Sequence, residues 1–211
     1  VVKIYGMAHN KLDFTTYGLY IIMDLADKDW DSEIKSRLKE KRFYKEDELL
    51  TIIKQLVSCL AWLESNNISH RDIKPQNVLL FSNGNIKLAD FGEAKKGRSE
   101  MNTLRGTELY MSPALFYGLK EDKDGVPHNV FKSDVFSLGY CLIYAATLCF
   151  DCLYEIREIY NMKVVYNIVS KHLKNRFSKG LIDLICMMIE IDENKRLDFT
   201  QLEKYIENNF V

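Results

Sequence analysis

Between residues 70 and 92 the chain gathers two carboxylates with amide and ammonium groups near them: His70-Arg71-Asp72-Ile73-Lys74-Pro75-Gln76-Asn77, an apolar run, then Asp90-Phe91-Gly92. Moving a phosphoryl group onto a hydroxyl needs one carboxylate to accept the hydroxyl proton and further oxygen ligands to hold Mg²⁺ against the phosphates. Asp72, Asn77 and Asp90 are groups of that kind. Lys74, two residues past Asp72, would offer a point positive charge to the transferring group.

These residues need elements that bring them together. Residues 78–81 (Val-Leu-Leu-Phe) and 86–89 (Ile-Lys-Leu-Ala) read as two short strands around Ser82-Asn83-Gly84-Asn85, an Asn-Gly turn. Such a hairpin predicts Asn77 and Asp90 at its two open ends, facing one cavity. Upstream, Leu49, Leu50, Ile53, Leu56, Val57, Leu60 and Leu63 recur at three and four, which predicts a helix over 46–64. The helix-stopping cluster Ser65-Asn66-Asn67 then leads directly into His70. A second helix is predicted over 30–40, with Trp30, Ile34 and Leu38 on its apolar side. All these stripes are expected to be core.

With 211 residues, 47% hydrophobic and 28% charged, the chain suits a globular protein with one good core or two small ones, and excludes disorder and collagen-like fibres. A net charge of −1 gives no electrostatic reason to expect nucleic acid or an acidic membrane as partner. No run approaches the ~18 apolar residues of a membrane span, and no charged-then-apolar leader opens the chain, so a soluble, cytoplasmic protein is expected. Five cysteines, an odd number, suit reduced thiols. Cys149 and Cys152 form a C-x-x-C pair with no second pair to complete a zinc site, and buried thiols are expected. His9, His128 and His172 share no ligand spacing. The chain opens on Val1, which suggests a piece of a longer protein.

The catalytic stretch resembles the paired motifs of eukaryotic protein kinases, H-R-D-L-x-x-x-N followed by D-F-G, with Ile73 in place of leucine. The resemblance implies an α+β fold, mainly a helical C-terminal lobe with short β-hairpins. It implies ATP and Mg²⁺, with Asp72 as base, Asn77 and Asp90 as metal ligands, and Lys74 beside the phosphate. Gly106-Thr107-Glu108-Leu109-Tyr110-Met111-Ser112-Pro113 resembles the peptide-docking end of an activation segment. There Thr107 matches the threonine bridging base and lysine in the serine/threonine branch, so protein Ser/Thr hydroxyls are the expected substrate. Residues 1–5 and 19–24 read as a strand pair and resemble the last two strands of a kinase small lobe. On that match Met23 guards the back of the adenine pocket, and Asp24, Leu25 and Ala26 form the hinge, binding through backbone groups. Asp29 either reaches the ribose or leads a helix. The implied division is 1–28, small-lobe remnant and hinge, and 29–211, large lobe.

The chain departs from the family in two places. The glycine-rich loop, the small-lobe lysine and its partner glutamate have no match, since the 19 residues between Lys3 and Met23 cannot hold a helix and another strand. The chain therefore corresponds to about the last three quarters of a kinase domain. Ala114, after Ser112-Pro113, replaces the glutamate that pairs with a buried arginine. Arg196 sits where that arginine would be, and is expected to find another carboxylate or reach solvent, because an unpaired buried guanidinium costs several kcal/mol. Asp134 is expected to cap the central helix (133–148) and accept hydrogen bonds from the catalytic-loop backbone. Residues 93–105 read as a flexible segment, 117–130 as a loop, and 181–191 and 200–206 as amphipathic helices. Ser99 and Thr103 are candidate sites for an activating kinase, their phosphates pairing with Arg71. The rival reading is a pseudokinase-like scaffold that docks partners without turnover. A small-molecule phosphotransferase fits less well, given the peptide-docking element.

Overall fold

The computed structural model describes residues 1–11, 16–97 and 101–210. Strands β1 (Ile4–Lys11) and β2 (Tyr17–Met23) pair antiparallel, from Ile4 opposite Met23 to Lys11 opposite Tyr17. A short strand β3 (Lys28–Asp29) leads into helices α1 (Trp30–Glu40) and α2 (Glu46–Ser65). Strand β4 (Ile68–Ser69), a 3-10 turn at Pro75–Asn77, and strands β5 (Val78–Leu80) and β6 (Ile86–Leu88) carry the catalytic stretch. Strands β7 (Lys95–Lys96) and β8 (Met101–Thr103) follow, then α3 (Pro113–Lys120) and β9 (Gly125–Pro127). Helices α4 (Val130–Thr147), α5 (Asp151–Ile156), α6 (Met162–Leu173), α7 (Lys179–Met188) and α8 (Phe199–Asn209) complete the chain.

Helix α4 is apolar on every side and buried almost throughout, so it forms the axis of the core. Helix α2 buries Leu49, Ile53, Leu56, Val57, Leu60 and Leu63, as its periodicity predicts, and packs against α8. Asp29 caps α1 by accepting from the Ser32 amide at 2.8 Å, in keeping with the helix-leading reading. Leu38, expected in the core, is half-exposed. Arg37 is buried in the neighbouring position, bonded to Glu33 and Glu48 at 2.6 Å each and lying 3.8 Å over the Tyr44 ring. The desolvated guanidinium is matched by two carboxylates and a ring face, which a leucine there would leave unpaired. Asn67, in the left-handed conformation at φ 55°, turns the chain out of α2 towards the catalytic loop.

Three expectations need correction. Helix α4 starts at Val130, and Asn129 caps it by accepting from the amides of Phe131 and Lys132. Asp134 therefore lies one turn inside, where its carboxylate is turned to other work. Residues 117–130 are not a plain loop: α3 runs through Lys120, and β9 pairs antiparallel with β8, Met101 opposite Pro127. Arg196, 2% exposed, finds neither solvent nor, among the described residues, a carboxylate within ion-pair distance. It donates to the backbone carbonyls of Glu190, Lys132 and Ile191 at 2.7, 3.0 and 3.3 Å, and its plane lies 5.0 Å from the Phe136 ring. Burial lowers its pKa to about 10, partly offset by Glu193, Glu190 and Asp192, so it stays charged at neutral pH. Three partial negative charges thus stand in for the carboxylate missing at position 114.

The β1–β2 hairpin is the exception to this packing. Met7 and Leu19, 69% and 66% exposed, stand with Ile4, Tyr5, Tyr20 and Ile22 on a sheet with no core beneath it among the described residues. No helix among the described residues is long and apolar enough to cross a membrane. Because Arg196 serves three buried carbonyls, Arg196→Ala is expected to lower unfolding stability by about 3 kcal/mol or more, read as a fall in the urea midpoint at unchanged slope. An unshifted midpoint would deny Arg196 that structural role.

Candidate active site

The geometry is set first by backbone. Strands β5 and β6 pair from Val78 opposite Leu88 to Leu80 opposite Ile86, and Gly84 turns the hairpin at φ 81°. The pairing continues one step past the strands, where the Ala89 amide donates to Asn77 O at 2.9 Å. Asn77 and Asp90 consequently stand at the open ends, as the sequence predicts.

Three polar side chains meet at Asp72. Its Oδ1 accepts from Thr107 Oγ1 at 2.9 Å, and its Oδ2 lies 2.6 Å from Lys74 Nζ and 3.2 Å from Asn77 Nδ2. Lys74 Nζ also donates to Thr107 Oγ1 at 3.1 Å, closing the ring. Desolvation raises the Asp72 pKa, but the bonds from Lys74 and Thr107, the Lys74 charge and the Asn77 bond overcome it and hold the carboxyl below its ordinary value. Asn77 commits its Nδ2 to Asp72, with a second bond to the Asp72 carbonyl at 2.8 Å, which leaves the amide oxygen as the coordinating end.

His70 ties this group to Asp90. The imidazole is fully buried; its Nε2–H donates to Ala89 O at 2.9 Å and its Nδ1 accepts from the Asp72 amide at 3.3 Å. Burial lowers its pKa, so it is neutral, and both Asp72 and Asp90 lie within electrostatic reach of the ring. Phe91 packs edge-on against it, centroids 4.8 Å apart. Asp90 itself is exposed and left-handed at φ 58°, its Oδ1 receiving the Gly92 amide at 3.3 Å. Arg71 is left-handed too, at φ 68°. Each of these non-glycine residues holds a sparsely populated conformation at a cost of roughly 1–3 kcal/mol, so the surrounding contacts must hold it there.

Asp134 supports that strain. Its Oδ2 and Oδ1 accept from the His70 and Arg71 amides at 2.7 and 2.9 Å, as the sequence predicts. Burial pushes its carboxyl up to about 7, against the two amide donors and Arg71, which pull it down. Gly106 brings the other wall close: at φ 109°, a Cβ there would stand 2.7 Å from Arg71 O. Only glycine admits this approach, which sets Thr107 against Asp72.

Asp24, expected in the hinge, contacts β6 through Lys87. Asp24 receives Lys87 Nζ at 2.5 Å, Tyr5 Oη at 2.7 Å and the Lys3 amide at 3.1 Å, so its side chain is committed to joining the two hairpins. Met23 is exposed beside it, and among the described residues the N–H and C=O of Ala26 have no backbone partner. On the opposite side, Arg71 Nη2 donates to Thr103 Oγ1 at 3.4 Å, and Glu93 lies 3.9 Å from Arg71 and 3.4 Å from Arg105. Ser99 lies outside the described residues.

The structure thus joins Asp72, Lys74, Asn77 and Thr107 by direct bonds and connects Asp90 through His70. Sequence reasoning named His70 only as part of a motif. The available signal was a histidine directly ahead of the loop, at the stop of an amphipathic helix, but its bond to Ala89 spans 19 residues. It likewise missed the Lys87–Asp24 pair, a contact between residues 63 apart.

Residues 1–206 match the protein kinase domain family, and the chain belongs to that family. It is 36% identical over 192 residues to the probable serine/threonine-protein kinase nek3 of Dictyostelium discoideum, covering 84% of this chain and 16% of that protein. It is 33% identical over 204 residues to the probable serine/threonine-protein kinase nek2 of the same organism, covering 92% of this chain and 46% of that protein. The MAP kinase kinase MKK1/SSP32 of Saccharomyces cerevisiae is 34% identical over 157 residues, 74% of this chain and 29% of that protein. The chain therefore spans less than half the length of these relatives.

Asp134→Asn leaves the Arg71 or His70 amide facing an amide donor. It is expected to raise hydrogen exchange at those two positions at least about tenfold and to lower stability by about 1–3 kcal/mol. Unchanged exchange at both amides would show that the catalytic loop holds its shape without this carboxylate.

Proposed function

We propose that the protein transfers the γ-phosphate of ATP to serine and threonine hydroxyls of protein substrates, with residues 1–28 as small-lobe remnant and hinge and 29–211 as large lobe. The observation that carries this reading is the Asp72 carboxylate held at once by Thr107, Lys74 and Asn77. In that setting Asp72 orients the incoming hydroxyl and takes its proton; Lys74, bridging to Thr107, puts positive charge beside the phosphoryl group as it moves. A carboxyl held below its ordinary value is a weak base, so orientation is its larger contribution, with proton transfer late.

The donor set suits a hard cation: an amide oxygen at Asn77 and an exposed carboxylate at Asp90. Among the described residues no three His, Cys, Asp or Glu side chains gather into a metal cage, so a cation here would lean on phosphate oxygens. Mg²⁺ bound by these two residues would neutralise charge on the phosphates. For ATP, the unpartnered backbone groups of Ala26 support hinge recognition of adenine, with Met23 behind it and Asp24 contributing backbone only. The bare apolar faces of the β1–β2 hairpin support a further layer of small lobe in the full protein. The 211 residues alone lack the lysine and glycine loop, so very weak ATP affinity and negligible turnover are expected of them. Five free thiols support a reducing, cytosolic setting.

Thr103 beside Arg71 supports an activating phosphorylation by a second kinase, with ATP as donor and Ser99 as the other candidate. The added charge would draw Arg71 and Arg105 from Glu93 and order the segment leading to Thr107. Convergence of three polar side chains on Asp72 disfavours a scaffold without turnover.

In the full-length protein, Asp72→Asn is expected to lower kcat by ~10²–10⁴-fold with little change in KM for ATP. The sign of the pH effect follows from the depressed Asp72 pKa: the ionised base persists as pH falls and is lost only below the ordinary carboxylate range. Lys74→Met should move the acid limb of the kcat/KM profile to higher pH, because it removes the leading hydrogen bond and charge that depress that pKa. An acid limb that stays in place would deny Asp72 the role of base. Phosphatase treatment of active protein should lower its rate; an untouched rate would reject regulation at Thr103 or Ser99.

A further inference from the structure

The unexpected pairing of β8 with β9 brings a residue from the 121–129 segment to the activation segment. His128 follows Pro127, the partner of Met101, and lines a cavity of about 20 Å³ with Thr103, Arg71 and Arg105. Its Nδ1–H donates to Val126 O at 3.0 Å, which fixes the tautomer and makes Nε2 the atom that gains a proton. Around it stand the cations Arg71 from the catalytic loop and Lys95 from β7, with Glu193 from the turn before α8 as the anion. Arg105 and Asp134 complete the charged wall. In that wall the Arg71 Nε is buried with no hydrogen-bond partner among the described residues, and Arg71 Nη2 already touches Thr103 Oγ1.

We infer that His128 is an additional ligand of the anion site that receives a phosphate on Thr103, taking up a proton as the phosphate docks. The inference rests on the reading of Thr103 as a phosphorylation site. Charge balance is its physical basis. Without phosphate, burial and the neighbouring Arg71 and Lys95 keep the ring neutral, with Val126 O and Glu193 pulling the other way. A phosphate at Thr103 adds up to two negative charges and strong acceptor oxygens at the mouth of the cavity. Two cations are engaged with Glu93, so part of the new charge falls to His128, the imidazole lining the cavity, which becomes a cation on gaining a proton, whereas the Asp134 carboxylate in the same wall is already held by the His70 and Arg71 amides and can supply no positive charge. The cavity holds about one water, so the phosphate would sit at its rim, reached from inside by Arg71 and His128. Segment 121–129 then does more than connect α3 to α4: through β9 and His128 it senses the state of Thr103.

The test is an NMR titration of the four histidine rings in the chain carrying threonine or phosphothreonine at position 103, installed during translation, with His128→Gln used to assign the resonance. The expected result is a rise of about one unit or more in the His128 pKa, about tenfold in proton affinity, with His9 and His172 unmoved. Removal of the phosphate by a phosphatase should also slow as pH falls through that value, and His128→Gln should flatten this dependence. A His128 titration that phosphothreonine leaves unchanged overturns the inference, whatever the activity does. If His128 shifts but phosphothreonine at 103 fails to raise the activity of the full-length protein, the anion site stands and the regulatory reading of Thr103 falls.

Discussion

A buried carboxylate holding two backbone amides is the constraint on which this structure turns. Asp134 sits inside the apolar helix α4 and takes the N–H groups of His70 and Arg71, reaching across 64 and 63 residues. Burying a charge in the core is costly unless hydrogen bonds offset the lost hydration, and here two short ones oppose that cost in part. The catalytic loop is thereby bound to the most rigid element of the molecule. That binding lets Arg71 remain in a left-handed conformation, presents the Asp72 carboxylate to Thr107, and places His70 where it can grip the strand leading to Asp90. Helix α4 supplies the rigidity because it is buried on all sides.

A second theme is charge satisfied without its obvious partner. Arg196 is held by three backbone carbonyls where family resemblance implies a carboxylate, and Arg37 occupies an inward position on α1 between two glutamates. Each guanidinium offers five donors in a planar fork, so one side chain can serve several fixed acceptors. Loss of a single anion, as at Ala114, is then absorbed by backbone oxygens already present at Lys132 in α4 and at Glu190 and Ile191 after α7. The same economy shapes the cavity beside Thr103, where Arg71 and Arg105 share Glu93.

The two hairpins differ in how they are anchored. The β5–β6 pair lies against α2 and is joined by β3 into a three-stranded sheet, so its open ends are held in place. The β1–β2 pair is tied to the rest by Asp24, through Lys87, and by the Val2 amide on Leu88 O, while both of its faces carry exposed apolar side chains. Strands apolar on both faces are those of a sheet covered on both sides. The group around Asp72 is thus anchored on the core, whereas the hairpin leading to residues 24–26 is held mainly through Asp24 and Val2.

Much of this architecture was legible in the residues. The amphipathic period of 46–64, the Asn-Gly turn at 83–84 and the order of the two motifs are local signals, and each is governed by neighbours within a few positions, so helix, hairpin and the placing of Asn77 and Asp90 follow from sequence. Asp134 was legible in its bonds but not as a cap, since a helix start shifts easily when Asn129 offers a better one. What sequence could not supply were contacts set by three-dimensional packing. The β8–β9 strands are three residues each and carry almost no periodicity, so only the fold brings them together, and His128 with them. The partners of Arg196 are carbonyls, which every residue possesses and no sequence pattern marks. The residues by themselves determined which chemical groups the site has and the local elements that carry them; tertiary structure alone decided which backbone atoms satisfy its buried charges, because those atoms are common to all residues and are selected by position.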